Sequence, residues 1–171
     1  MIKNKGIVFW ITGLSGSGKT TIGKAIKLEI KKKFGPTILV NGDDIRKIFK
    51  IKTYEKKNRL IIAKQYTEFC NFISKQNINV IFTTVALFDT IHKANRKKIK
   101  NYFEIYIESD FKKIIKKRNK RFYKMKTKNI WGVDLKPEFP KKPDVKILND
   151  FSLPIKKLKK ELLNRIFDKL I

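Results

Sequence analysis

The residues best able to do chemistry stand near the start of the chain. Gly13-Leu14-Ser15-Gly16-Ser17-Gly18-Lys19-Thr20 carries the spacing G-x-x-x-x-G-K-[ST], which wraps backbone amides around a polyphosphate. Gly13, Gly16 and Gly18 permit turns that a Cβ would block, so successive N–H groups converge on one anion. Lys19 adds a mobile ammonium for the β- and γ-phosphates, and Thr20 a hydroxyl for Mg²⁺. The helix opening here aims the positive end of its dipole at the same anion. The expected ATP site therefore runs through Gly13, Leu14, Ser15, Gly16, Ser17, Gly18, Lys19, Thr20 and Thr21, with Thr20 linked to the metal.

Asp43 and Asp44 form the second constellation. A carboxylate beside an acceptor hydroxyl takes its proton or helps to hold Mg²⁺. The competing role is structural, because Asp at a helix start commonly accepts backbone N–H bonds.

Both groups need a scaffold, and the hydrophobic pattern supplies one. Gly6 to Ile11 is an apolar run of buried-strand length, and Ile22, Ala25, Ile26, Leu28 and Ile30 mark a helix after the glycine loop. Phe34-Gly35-Pro36 is a turn signal. Ile38 to Val40 reads as the second strand and Ile45 to Phe49 as a short helix with Asp43 or Asp44 near its start. Ile62, Tyr66, Phe69, Cys70 and Ile73 recur at helical spacing, which places Cys70 in the core. Val80 to Val85 is the third strand, Ala86 to Thr90 a loop, and His92 to Lys100 a basic helix whose single histidine is expected at the surface. Tyr102 to Ile107 is the fourth strand and Phe111 to Arg118 the next helix. Residues 119–140 lose all period and read as a lid. Pro143 to Leu148 is the fifth strand, and Ile155, Leu158, Leu162, Ile166 and Leu170 mark a closing helix. Alternating strands and helices predict one α/β domain over residues 1–171: a five-stranded parallel sheet flanked by helices, with a lid. Ligands of such sheets sit at the carboxyl ends of the strands.

Composition narrows the class. Hydrophobic residues are 42% of the 171, enough for a core and against disorder. No apolar run approaches the ~20 residues of a membrane span. The start leads directly into a strand, without a visible signal peptide, and Cys70 is the only cysteine, which excludes an intrachain disulfide. A cytoplasmic protein is expected, with no membrane partner. Lys and Arg number 42 against 15 Asp and Glu, a net charge of +27. Such an excess attracts anions. It recurs on every expected helix rather than in one block, the ordinary pattern of solvated amphipathic faces. No nucleic-acid motif accompanies it.

The sequence resembles the adenylylsulfate kinase family over nearly its whole length. Trp10-Ile-Thr-Gly-Leu-Ser-Gly-Ser-Gly-Lys-Thr20 resembles the family's opening, and Asn41-Gly-Asp-Asp-Ile-Arg46 its D-G-D-N-[VI]-R segment. Tyr54 with Arg59 resembles F-x-x-x-x-R. Arg118 with Phe122-Tyr-Lys124 resembles the lid pattern R-D-P-K-G-L-Y-K. Gly132-Val-Asp134 and Pro140-Lys-Lys-Pro143 resemble G-[IV]-D and A-P-x-x-P. The resemblance implies a P-loop kinase that uses ATP and Mg²⁺ to phosphorylate the ribose 3′-hydroxyl of a nucleotide. It implies Asp43 as base or Mg²⁺ organiser, Arg46 and Arg59 as ligands of the acceptor's anionic end, and Lys124 beside the transferring phosphate. Arg118 would lie close to the ATP base. Relatives of this kind are often homodimers.

The departures gather on the acceptor side. The family's first Asp is Asn41 and its Asn is Asp44. The strand-three loop S-P-[FY]-R is replaced by Ala86-Leu-Phe-Asp-Thr90. An expected asparagine is Ile62, and the lid phenylalanine that stacks on the acceptor base aligns with Ile130, followed by Trp131. Tyr54, Ile130 and Trp131 are expected to border the substrate, Ile130 and Trp131 at its base, Trp131 as a base platform or as a pin for the lid. The pattern is similar to a variant branch, the cytidine diphosphoramidate kinases of capsule phosphoramidate synthesis. Adenylyl sulfate is the alternative acceptor, and an ATP-switched nucleic-acid binder the remote one.

Overall fold

The computed structural model describes residues 6–118 and 129–171, the side chain of Arg118 excepted. Five strands, β1 (Val8–Thr12), β2 (Thr37–Asn41), β3 (Asn79–Thr83), β4 (Tyr102–Glu108) and β5 (Val145–Leu148), alternate with helices. The helices are α1 (Lys19–Phe34), α2 (Gly42–Ile48), α3 (Lys56–Ser74), α4 (Asp89–Lys98), α5 (Phe111–Arg118) and α6 (Ile155–Leu170). The sheet is parallel, in the order β2-β3-β1-β4-β5. The glycine-loop strand is thus central, with Ile11 opposite Thr83 on one side and Ile105 on the other.

Period-two alternation along β1 divides the core. Phe9 and Ile11 face Ile22, Ile26 and Ile30 of α1 and Leu158, Leu162 and Ile166 of α6. Val8 and Trp10 face the other way, toward Tyr66 and Cys70 of α3 and Ile91 of α4. A strand buried on both faces reads as a near-continuous apolar run, and all five residues of β1, the closing Thr12 included, are buried. Cys70 lies in the core as expected, and burial pushes its thiol well above the ordinary value. Among the described residues no helix is long and apolar enough to cross a membrane.

Element ends differ from the sequence expectations in informative ways. β3 stops at Thr83, two residues before the expected Val85, so Thr84 and Val85 enter a loop at the carboxyl edge of the sheet. β1 begins at Val8 rather than Gly6, and β5 at Val145 rather than Pro143. Helix α4 begins at Asp89, inside the stretch expected as a loop.

The largest correction is His92, which is buried and not at the surface. Its Nδ1 lies 2.8 Å from Glu104 Oε1, and its Nε2 3.1 Å from the carbonyl of Glu138. Glu104 is an acid on a central strand, and a buried carboxylate needs partners. It takes Tyr102 Oη at 2.8 Å and Arg96 at 3.2 Å as well, and Arg96 continues to Asp144 at 3.1 Å. The basic composition of α4 hides this one inward face. The network fastens the segment before β5 to β4 and α4.

Candidate active site

The glycine loop is built as its spacing requires. Gly13, Gly16 and Gly18 have φ of 149°, 86° and 95°. A Cβ on Gly13 would stand 2.5 Å from the carbonyl oxygen of Ile107 on the neighbouring strand, so only glycine fits between β1 and β4. Gly18, left-handed, is the N-cap of α1, and no side chain caps that helix. Its first amides are therefore available to an anion.

Lys19 is buried, and its ammonium donates to the carbonyl of Leu14 at 2.6 Å. Leu14 and Ser17 turn away from the cleft. Leu14 packs into the core, and Ser17 Oγ is buried without a hydrogen-bond partner among the described residues. The Ser17 carbonyl accepts Asn149 Nδ2 at 2.8 Å, which ties the loop to the end of β5.

A cleft of about 1020 Å³, solvent mouth included, opens beyond the carboxyl ends of β1, β2 and β3. Ser15, Gly16, Gly18, Lys19, Thr20 and Thr21 border it on the glycine-loop side, and Asn41 and Asp43 beside them. This is the expected location for a ligand of a parallel sheet. Asp43 lines the cleft; Asp44, also exposed, is not among its lining residues. Neither aspartate caps α2. That role falls to Asn41, whose Oδ1 accepts the Asp43 amide at 3.3 Å, which leaves the Asp43 carboxylate to the cleft.

Arg46, Tyr54 and Arg59 come together on the same wall. The two guanidinium carbons lie 4.6 and 5.0 Å from the centroid of the Tyr54 ring, an arrangement attractive by cation–π interaction. Both Arg46 Nη atoms donate to Thr53 O, at 3.0 and 3.1 Å. Arg59 donates to Tyr54 O at 2.6 Å and to Asn129 O at 2.8 Å. Burial, then the neighbouring Arg46 charge, lowers the Arg59 pKa from its ordinary value. Two like charges held this close fit a ligand carrying negative charge.

The apolar wall contains Ile62, Ala86, Phe88 and Trp131. Trp131 is 3% exposed and meets Phe88 edge-on at 4.9 Å. It pins residues 129–135 to the core, and its remaining surface borders the cleft. Ile130 is buried and is not among the cleft-lining residues. Its carbonyl instead accepts amides of the turn at 133–135, and Asp134 accepts the amides of Asn129 and Ile130. The Ile130 side chain is thus buried away from the cleft where stacking on the acceptor base was expected of it. Tyr66 was missed by sequence reasoning because its helical spacing marked it as core. It borders the cleft, donates to Gly42 O at 3.0 Å, and its pKa is pushed up to about 12 by burial.

A second cleft adjoins the loop. Gly18 and Thr21 border one side, Asn149, Phe151 and Leu158 the other, with Lys117 beside them. Phe151 has φ of 66°, a sparsely populated region for an aromatic residue, and the Asn149 side chain accepts its amide at 3.2 Å. Nothing in the sequence pattern marked these two residues beyond their place after a strand. Lys124 and the side chain of Arg118 lie outside the described residues.

The site fits ATP and Mg²⁺ in kind. The uncapped amides, the glycine turns and Lys19 suit a polyphosphate. Among the described residues no group of three or more acidic, His or Cys side chains could hold a metal alone.

A parallel sheet with this loop at the end of its central strand, a basic clamp and one carboxylate in a shared cleft defines a P-loop phosphotransferase. More specifically, the chain belongs to the adenylylsulphate kinase family, whose model matches residues 5–148, and is an ATP-using kinase. It is 38% identical over 143 residues to the cytidine diphosphoramidate kinase of Campylobacter jejuni, covering 81% of this chain and 84% of that one. Identity to the adenylyl-sulfate kinase of Clostridium acetobutylicum is 29% over 153 residues, 86% and 76% of the two chains. The Mycobacterium tuberculosis APS kinase, solved with AMPPNP and APS, has the same fold, with a TM-score of 0.83 at 19% identity over 95% of this chain and 98% of that one.

Proposed function

We propose that this kinase transfers the γ-phosphoryl group of ATP to the ribose 3′-hydroxyl of cytidine diphosphoramidate, in capsule phosphoramidate synthesis. One observation carries the reading. The departures from the adenylylsulfate pattern, at Ile62 and in Ala86-Leu-Phe-Asp89, fall on the wall of the same cleft that an intact glycine loop borders. The likeness to the Campylobacter jejuni enzyme supports the same acceptor. Adenylyl sulfate is the second reading, favoured by the family match.

The chain's own groups have distinct tasks. The loop amides and Lys19 hold the phosphates, and the second cleft, with Asn149 and Phe151, takes the base of ATP. Arg46 and Arg59 hold the acceptor's anionic end, with Tyr54 between them. The Asp43 carboxylate accepts the proton of the 3′-hydroxyl as its oxygen bonds to phosphorus and the bond to the β-phosphate oxygen breaks, leaving ADP. Thr20 would hold Mg²⁺ together with phosphate oxygens and water, and the ion would neutralise charge on the phosphates. Lys124 belongs to the same reading as a second cation near the transferring group.

Arg46→Ala and Arg59→Ala test the assignment of the acceptor half. Each is expected to raise the acceptor KM by ~10-fold or more, the scale of a lost charge-assisted hydrogen bond, while the KM for ATP stays within about twofold. Initial-rate kinetics with each substrate varied in turn give both constants. An effect confined to ATP would move the acceptor elsewhere.

A further inference from the structure

We infer that Asn41 contacts substrate: its side-chain oxygen is fixed by the protein, and its amide N–H groups donate to a γ-phosphoryl oxygen of ATP. The inference rests on the kinase reading above, but its test needs no acceptor. Asn41 ends β2 and pairs with Thr83 of β3 in the sheet. Its Oδ1 accepts two hydrogen bonds, from the Asp43 amide and from Thr83 Oγ1, both at 3.3 Å. A backbone N–H can only donate, so it is the oxygen that must face Asp43. Nδ2 then keeps two donors, and no described residue accepts from them.

Asn41 borders the cleft in company with Lys19, Thr20 and Asp43. A partner for Nδ2 there must be an acceptor, and phosphoryl oxygens only accept. The position also sets local charge. The family pattern places a carboxylate at this point and an amide at position 44; here Asn41 and Asp44 exchange them. Asp44 does not line the cleft, so one carboxylate of the pair, Asp43, faces the phosphates rather than two. Donors aimed in advance at a phosphoryl oxygen cost little reorganisation when charge arrives.

A capping role alone would also explain the residue, and Asn41→Asp separates the two. Aspartate caps a helix as well as asparagine, so the variant should unfold at the wild-type temperature. It places an anion where the donors stood. Calorimetric titration with Mg²⁺ present should show ATP binding weakened by about 10-fold or more, while ADP, which lacks the γ-phosphate, binds as to wild type. Asn41→Ser retains a capping hydroxyl without the amide and should weaken ATP selectively as well. Unchanged ATP binding in Asn41→Asp would reduce Asn41 to a cap. Equal losses for ATP and ADP would overturn the γ-phosphate contact. Absence of turnover with every acceptor would defeat the proposed function and leave this binding result standing.

Discussion

Lys19→Ala is expected to lower turnover by at least ~10³-fold and to leave the folded protein intact. The magnitude follows from the role: a cation that tracks charge on a transferring phosphoryl group is worth on the order of 10³–10⁵ in rate. The fold should survive because Lys19 stands in the first turn of α1, where alanine is a good helix former. Circular dichroism with thermal melting, beside an ADP-release assay, separates the two effects. A folded Lys19→Ala protein of near wild-type activity would sink the assignment of the glycine loop.

Asp43→Asn is the second large effect. It should reduce kcat by ~10²–10⁴-fold, the usual range for a general base, with ATP affinity largely retained. The substitution is nearly isosteric, and the backbone amide of residue 43 keeps its bond to Asn41, so α2 retains its cap. Asp44→Asn serves as the control. Asp44 does not line the cleft, and its removal should change kcat by less than about threefold. The reverse pattern, mild at Asp43 and severe at Asp44, would transfer the base to the neighbouring residue.

The glycine loop and its scaffold were legible because their signals are local. The glycine spacing, the apolar run before it and the helix after it lie within one stretch of chain, and the positive φ values at Gly13, Gly16 and Gly18 are what that spacing demands. Alternation of strand and helix likewise exposed the parallel sheet. Features that depend on distant partners were hidden. His92 read as a surface residue because its partner, Glu104, sits on another element, although a lone acid inside Tyr102 to Ile107 was a usable signal that something must neutralise it. Asn41 read as a departure from a pattern, whereas the register of β2 on β3 makes it a cap bonded to Thr83. The adjacent Ile130 and Trp131 differ only in which one the turn at 129–135 leaves beside the cleft, and no periodicity encodes that. Asn149 and Phe151 acquire meaning only when β5 is placed beside β4 and brings Asn149 to the carbonyl of Ser17.

The most direct test of the central claim compares two acceptors under one set of conditions. Wild-type protein, ATP and Mg²⁺ are given cytidine diphosphoramidate or adenylyl sulfate, and kcat/KM is measured for each by coupled ADP release. The altered wall at Ile62, Ala86 and Phe88 predicts a preference for cytidine diphosphoramidate of at least ~10-fold, about 1.4 kcal/mol of transition-state discrimination. Equal values, or a preference for adenylyl sulfate, would contradict the proposed acceptor.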